Sequence, residues 1–428
     1  MKSYKELSRD ELLELQGALN KEYADAKSKG LSLNMARGKP SPEQLGFSMG
    51  IMDVLNSSSE LVSEDGTDCR NYGVLDGIPE AKRLMADMVG TKSENMIVCG
   101  NASLPIMYDT VSRSYAFGVC GSKPWCKQEH VKFLCPVPGY DRHFAITEQF
   151  GIEMINIPMH EDGPDMDLVE KYVENDSSVK GIWCVPKYSN PEGVSYSDEV
   201  VRRFAALKPA AEDFRIYWDN AYVMHHLYPD YPVEILDIIE ECEKAGHPDL
   251  VFEFCSTSKV TFSGSGVAAV ATSEKNREWF KKTMTIQTIG YDKINQLRHV
   301  KYFGDIEGMK AHMVKMADSL RPKFEAVHEV LEAELGGLEI GKWTDPRGGY
   351  FISFYTLPGC AKKVAAMCKE AGVTLTGAGS TYPYKKDPED SNIRIAPSFP
   401  TVEEMKLAAK LFALCVKLVS VEKLLEEK

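Results

Sequence analysis

The stretch Ile216-Tyr217-Trp218-Asp219-Asn220-Ala221-Tyr222 decides the fold, because an apolar, strand-like run ends abruptly on a carboxylate. Strands that read as continuous apolar runs belong to parallel sheets covered on both faces, and such sheets bind ligands at the C-terminal ends of their strands. Asp219 stands at that end. Its charge can keep a pyridine-type nitrogen protonated, and Tyr222, three residues on, can donate to a phenolic oxygen. An aspartate in this position also serves as an ordinary helix N-cap.

Comparable short apolar runs recur on either side: Asn95 to Val98, Val131 to Leu134, Glu153 to Ile157, Gly181 to Val185, Leu250 to Cys255 and Val267 to Ala271. Helical stretches separate them. The alternation predicts an α/β domain with a large, mainly parallel seven-stranded sheet, the run Arg215 to Trp218 included. Near the start, Ser8 and Glu11 stand at capping-box spacing, and Leu12, Leu13, Leu15 and Leu19 give an apolar helical face that ends near Gly30. From about Asp305 helices dominate: Glu307 to Glu334, Ala361 to Ala371 and Glu403 to about Leu425, with strand-like Tyr350 to Tyr355 and Ile393 to Ala396 between them. That mixture predicts a smaller α+β domain. The expected division is 1–60 as an arm and part of the small domain, 61–305 as the large domain, and 306–428 as the rest of the small one.

Composition narrows the function. Hydrophobic residues at 43% and charged residues at 26% match a globular enzyme rather than a disordered chain. A net charge of −13 argues against a nucleic-acid partner, which requires a basic footprint to displace counterions. The 11 cysteines contain no Cys-x-x-Cys pair and are expected as reduced thiols, with neither disulfides nor a metal site. The opening Met1-Lys2-Ser3-Tyr4-Lys5-Glu6-Leu7 lacks an apolar signal core, and no run of apolar residues is long enough to span a bilayer. A cytoplasmic location and no membrane partner are expected.

Five further stretches carry candidate chemistry. In Cys255-Ser256-Thr257-Ser258-Lys259-Val260-Thr261-Phe262-Ser263-Gly264-Ser265-Gly266 a lysine is fenced by hydroxyls and glycines, a setting for an amine that anchors a phosphorylated aldehyde. The turn Gly100-Asn101-Ala102-Ser103-Leu104 follows a strand and opens a helix, where backbone N–H groups suit a phosphate or simply turn the chain. Pro138-Gly139-Tyr140 delivers an aromatic ring that can stack on a flat ligand, and Ser189-Asn190-Pro191-Glu192-Gly193 delivers a side-chain amide. Arg394, flanked by Ile393 and Ile395, has the planar fork for a carboxylate, or pairs internally.

Taken in order, Asn190-Pro191-x-Gly193, Asp219-x-Ala221-Tyr222, Ser256-x-Ser258-Lys259 and Arg394 resemble the class I/II aminotransferases, pyridoxal-phosphate enzymes of fold type I. The resemblance extends from Asn34-Met35-Ala36-Arg37-Gly38-Lys39-Pro40 to Arg394, and in finer detail the chain is similar to a bacterial subgroup named for aspartate aminotransferase. It implies pyridoxal 5'-phosphate as cofactor, Lys259 as its anchor and proton shuttle, Asp219 at the ring nitrogen, and Asn190 with Tyr222 at the phenolic oxygen. It further implies Tyr140 stacked on the ring, and Ala102, Ser103, Leu104, Ser256 and Ser258 around the phosphate. Arg394, Gly38 and Asn190 would meet the substrate. Tyr72 matches a tyrosine that reaches the phosphate of a neighbouring subunit, so a homodimer with shared sites is implied. Where many relatives have an arginine eight residues after the lysine, this chain has Val267, and the serines and glycines of the loop are expected to compensate.

Aspartate with 2-oxoglutarate is the favoured substrate pair, and on charge alone Arg37 and Arg298 are the cations that could meet a distal carboxylate. Alanine or aromatic transamination and β-elimination use the same pocket parts. A non-catalytic effector-binding module of a transcription regulator is disfavoured, because the roughly 35 residues before the fold hold no helix-turn-helix pair.

Overall fold

Ser8 and Glu11 form the expected capping box, and the helix they start runs Arg9–Ser28. In this computed structural model, which describes residues 2–428, the helix buries Leu12 and Leu19, while Leu13, expected on the same face, turns outward and is 48% exposed. The C-terminal helix Val402–Glu427 covers that narrow stripe, and Tyr23 donates to the carbonyl of Met367 beside it.

Strand β1 (Leu33–Asn34) precedes the main sheet, which comprises β2 (Met96–Val98), β3 (Lys132–Val137), β4 (Glu153–His160), β5 (Gly163–Pro164), β6 (Val179–Cys184), β7 (Arg215–Asp219), β8 (Val251–Ser256) and β9 (Ala268–Ala271). Their order is β2-β9-β8-β7-β6-β3-β4-β5. All seven expected strands are present. The eighth, β5, is a two-residue antiparallel return from β4 that a Gly-Pro pair does not signal in sequence. Strands β4, β3, β6, β7 and β8 run parallel, and β9 opposes both β8 and β2.

Alternation along the strands builds two apolar layers. Tyr217 of β7 faces Phe133, Trp183 and Phe252, whereas Trp218 faces Tyr196 and Phe204 on the other side. Burial on both sides is why these strands read as continuous apolar runs.

Beyond the sheet lie the 30-residue helix Ile306–Leu335 and the strands β10 (Gly341–Trp343), β11 (Ile352–Thr356), β12 (Val373–Thr374) and β13 (Asn392–Ile395). β10, β11 and β13 form an antiparallel sheet, and β12 pairs in parallel with β1, which ties the N-terminal segment to this region. Phe354 of β11 meets Phe412 of the last helix edge to face at 4.9 Å. Among the described residues all 11 cysteines are free, and no helix is long and apolar enough to cross a membrane.

Candidate active site

The C-terminal end of β7 opens on a cleft lined by Ser103, Leu104, Tyr140, Asn190, Asp219, Tyr222 and Lys259, residues that lie up to 156 positions apart in sequence. Asp219 is 2% exposed. Its Oδ2 accepts a hydrogen bond from His143 Nε2 at 2.9 Å, and the His143 ring stacks on Trp183 at 4.4 Å. Its Oδ1 is buried and has no partner among the described residues. An unpaired buried carboxylate oxygen is costly, and it is the type of atom that a ligand N–H would satisfy.

Lys259 enters from the turn that follows β8, with Nζ 4.8 Å above the ring of Tyr222. Burial pushes its pKa down, while the charge of Asp219 acts against that fall. Its carbonyl accepts from His225 Nε2 at 3.3 Å and from the Tyr350 hydroxyl at 3.4 Å. Burial and the charge of Lys259 push the His225 pKa down to about 3, so this ring is neutral and supports the backbone without contributing charge. Burial, with Tyr140 and Asp219 adding, raises the Tyr222 hydroxyl well above its ordinary value, so it remains a proton donor.

One side of the cleft suits an anion. Ser103 is the first residue of the helix Ser103–Phe117, and Ala102 before it makes no side-chain cap, so the first N–H groups stay available. The hydroxyl of Ser258 bonds both to Ser256 Oγ, at 3.1 Å, and to the carbonyl of Asn101, at 3.3 Å, which docks the lysine loop on the helix start. Gly266 is required there: a Cβ would lie 2.8 Å from the Asn101 carbonyl oxygen. Val267 is 3% exposed within the apolar core, a position where an arginine would be buried.

The opposite side holds Arg394 on β13. Its Nη1 donates to Asp141 Oδ1 and Asn190 Oδ1, each at 3.1 Å, its Nη2 donates to Thr376 at 3.3 Å, and its guanidinium lies 4.7 Å above the Phe351 ring. Arg394 is thus internally paired, and through Asn190 it sits beside the cleft. Gly38 packs against that same ring, where a Cβ would meet Phe351 at 2.3 Å. Because Asn190 Oδ1 is taken by Arg394, the amide nitrogen is the atom left for a ligand.

The family model described as "Aspartate amino-transferase" matches residues 7–428. The chain belongs to the aspartate aminotransferase family. It is accordingly an aminotransferase, as the resemblance in its motifs implied. It is 49% identical to an aspartate aminotransferase of Corynebacterium glutamicum over 405 residues, covering 94% of this chain and 93% of that protein. The crystal structure of an aspartate transaminase from Corynebacterium glutamicum superposes with a TM-score of 0.96 at 47% identity, covering 99% of each chain. The α-aminoadipate aminotransferase of Thermus thermophilus, at 17% identity and a TM-score of 0.73 over 95% of this chain and 96% of that one, shares the fold. The expected fold type I architecture is borne out.

Within this aminotransferase, four residues near the cleft carry no motif signal. His143, Asp141, His225 and Phe351 act only through tertiary contacts. His143 lies in the stretch that delivers Tyr140, and a buried-face position three residues into a helix was the available clue. Tyr72 is 82% exposed and lies outside the cleft of its own chain. Arg37 is exposed beside Gly38, whereas Arg298 donates to Ser265 Oγ at 2.8 Å and contacts Asn295, on the side of the serine loop.

Proposed function

We propose that this aminotransferase uses pyridoxal 5'-phosphate to move the amino group of aspartate to 2-oxoglutarate in two half-reactions. The cleft fits that group. Asp219 Oδ1, buried and unpartnered, would hold the ring nitrogen, the Asn190 amide and the Tyr222 hydroxyl the phenolic oxygen, and Tyr140 the ring face. Ala102, Ser103, Leu104, Ser256 and Ser258 would hold the phosphate, with Lys259 as the anchoring amine. When bound, the cofactor supplies an aldehyde that accepts the amino group and a ring that withdraws electrons from the substrate Cα.

The chain supplies binding, orientation and proton transfer. Arg394 takes the substrate α-carboxylate in place of Asp141, and Phe351 beneath it fixes the plane of the fork. Lys259 Nζ, with its pKa lowered by burial, would carry the proton from Cα to the carbon of the aldehyde group, and carry one back to Cα in the second half-reaction. His143 keeps Asp219 oriented, and the buried walls around Lys259 exclude water. The observation that carries this reading is the convergence of Lys259, Asp219, Asn190 and Tyr222 on one cleft beside Arg394.

The test is an assay of several amino acids with 2-oxoglutarate. Aspartate is expected to give the highest kcat/KM; preference for alanine or an aromatic donor overturns the substrate assignment. Loss of amino acid without any 2-oxo acid exchange would instead mark a β-lyase.

We further infer a homodimer. Tyr72, Ile286 and Ile289 are exposed, and Gly290 packs against the backbone of Gly73, so these apolar side chains form one neighbourhood suited to a second copy. Sedimentation of a monomer at micromolar concentration would overturn it. The free cysteines support a cytoplasmic location. The division at about 60 and 305 is supported by the separate β10-β11-β13 sheet, which lies wholly after 305, although the apolar core crosses it, with Met309, Met313 and Met316 packed under the main sheet.

A further inference from the structure

A second cavity, of about 790 Å³, lies on the side of the main sheet away from the cofactor cleft and shares no lining residue with it. Its volume falls within the range of small-molecule sites. The alternation of the strands creates it: Asp219 turns to the cofactor cleft, and Asn220, the next residue, turns to this cavity, as does Glu253 in register with Trp218. Asn220 Nδ2 donates to Glu253 Oε1 at 2.9 Å, yet Asn220 Oδ1 and Glu253 Oε2 are both buried without a partner. Lys187, 4% exposed, also lines the cavity and forms no ion pair among the described residues. Three polar groups of the aminotransferase are thus buried around one space, and its proposed reaction uses none of them.

Their state points to an anion. Burial pushes Lys187 down to about 8 and Glu253 up to about 8, so near neutrality the first is still largely an ammonium and the second largely an uncharged acid. Both are then donors. Asp87 and Glu234 on one side, Lys310 paired with Glu307 on the other, Asp237 acting on Glu253, and His226, held neutral by burial, are the other charged and titratable groups. Val223, Met224, Ile235, Leu236, Met313 and Val314 give it an apolar wall.

We propose that this cavity binds a small carboxylate anion carrying a short apolar chain, with Lys187 as its counter-ion and the Glu253–Asn220 pair beside it. A carboxylate there satisfies the buried ammonium, and the chain displaces water from the apolar wall. Occupancy would be felt in the cofactor cleft, because Lys187 stands three residues before Asn190, and the segment from Asn220 to His225 ends on the carbonyl of Lys259.

The test is calorimetric titration of the full, cofactor-loaded protein with sodium hexanoate, sodium acetate and hexan-1-ol. Hexanoate is expected to saturate one site per chain, with acetate and hexanol each weaker by about tenfold or more. Lys187→Met removes the charge, and Val314→Trp, at a position 41% exposed on the rim, fills the space. Each is expected to weaken hexanoate by about tenfold or more while amino-group transfer continues. Hexanoate that fails to bind, or that binds both variants as tightly as the parent, overturns the proposal. Should Lys187→Met not fold, Val314→Trp decides alone.

Discussion

At the scale of single residues the proposed reaction rests on an amine and a carboxylate whose surroundings, rather than whose identities, would make them useful. Lys259 lies against an aromatic ring in a buried setting that lowers its pKa, and Asp219 keeps one oxygen unpaired. Lys259→Ala is expected to abolish transfer and to leave no imine absorbance reducible by borohydride; a surviving reducible imine would remove Lys259 as the anchor. The two candidate distal cations separate by location. Arg37 adjoins Gly38 at the carboxylate side and Arg298 holds Ser265 at the serine loop. Arg37→Gln is therefore expected to raise KM for aspartate by about tenfold or more with little change for alanine, the value of one charge-assisted contact. Arg298→Gln is expected to loosen cofactor retention instead, measured by dialysis and absorbance. The reverse pattern would exchange the two roles.

At the scale of elements, short backbone devices set these residues in place. The helix start at Ser103 is left uncapped by any side chain, whereas the first and last helices of the chain each carry a capping box. Thr401 and Glu404 form a capping box on the last helix, which packs against both the first helix and the helix Ile306–Leu335. Thr401→Ala is expected to cost about 1 kcal/mol in chemical denaturation with kcat unchanged. A loss of activity at unchanged stability would mean that this helix does more than support the fold. Much of this level was legible in sequence. Ser8 with Glu11 marked a helix start, and the apolar runs marked seven strands, because capping and burial on both faces are local patterns. β5 was not legible, since its pairing depends on the neighbouring strand and not on its own residues.

At the scale of the whole molecule, buried titratable groups link stability to pH. Burial holds Glu253 protonated up to about 8 against an ordinary 4.5, so the stability it contributes is present at low pH and lost as pH rises through 8. His225, at about 3, and His226 and His299, each at about 4, are depressed from 6.5, so their contribution is complete above 6.5 and lost as pH falls. Lys187 changes only between about 8 and 10.5. Between pH 6.5 and 8 the Glu253 effect is therefore the one expected to dominate among these groups: thermal stability should decline, and Glu253→Gln should flatten the decline. A parent and variant with parallel Tm profiles over that window would show that Glu253 is charged in the folded protein.

By itself, the amino-acid sequence determined which chemistry is available: Lys259, Asp219, Asn190 and Tyr222 are identifiable because each ends or follows a locally patterned strand or turn, and Arg394 because it interrupts an apolar strand. Only the tertiary structure decided what surrounds them. His143 on Asp219, Asp141 on Arg394, His225 on the Lys259 backbone, and the buried Lys187 and Glu253 across the sheet all depend on chain segments from 34 to 253 residues apart. Strand and helix periodicity are short-range properties, whereas burial, pairing and the pKa shifts that follow are set by which distant side chains share one space.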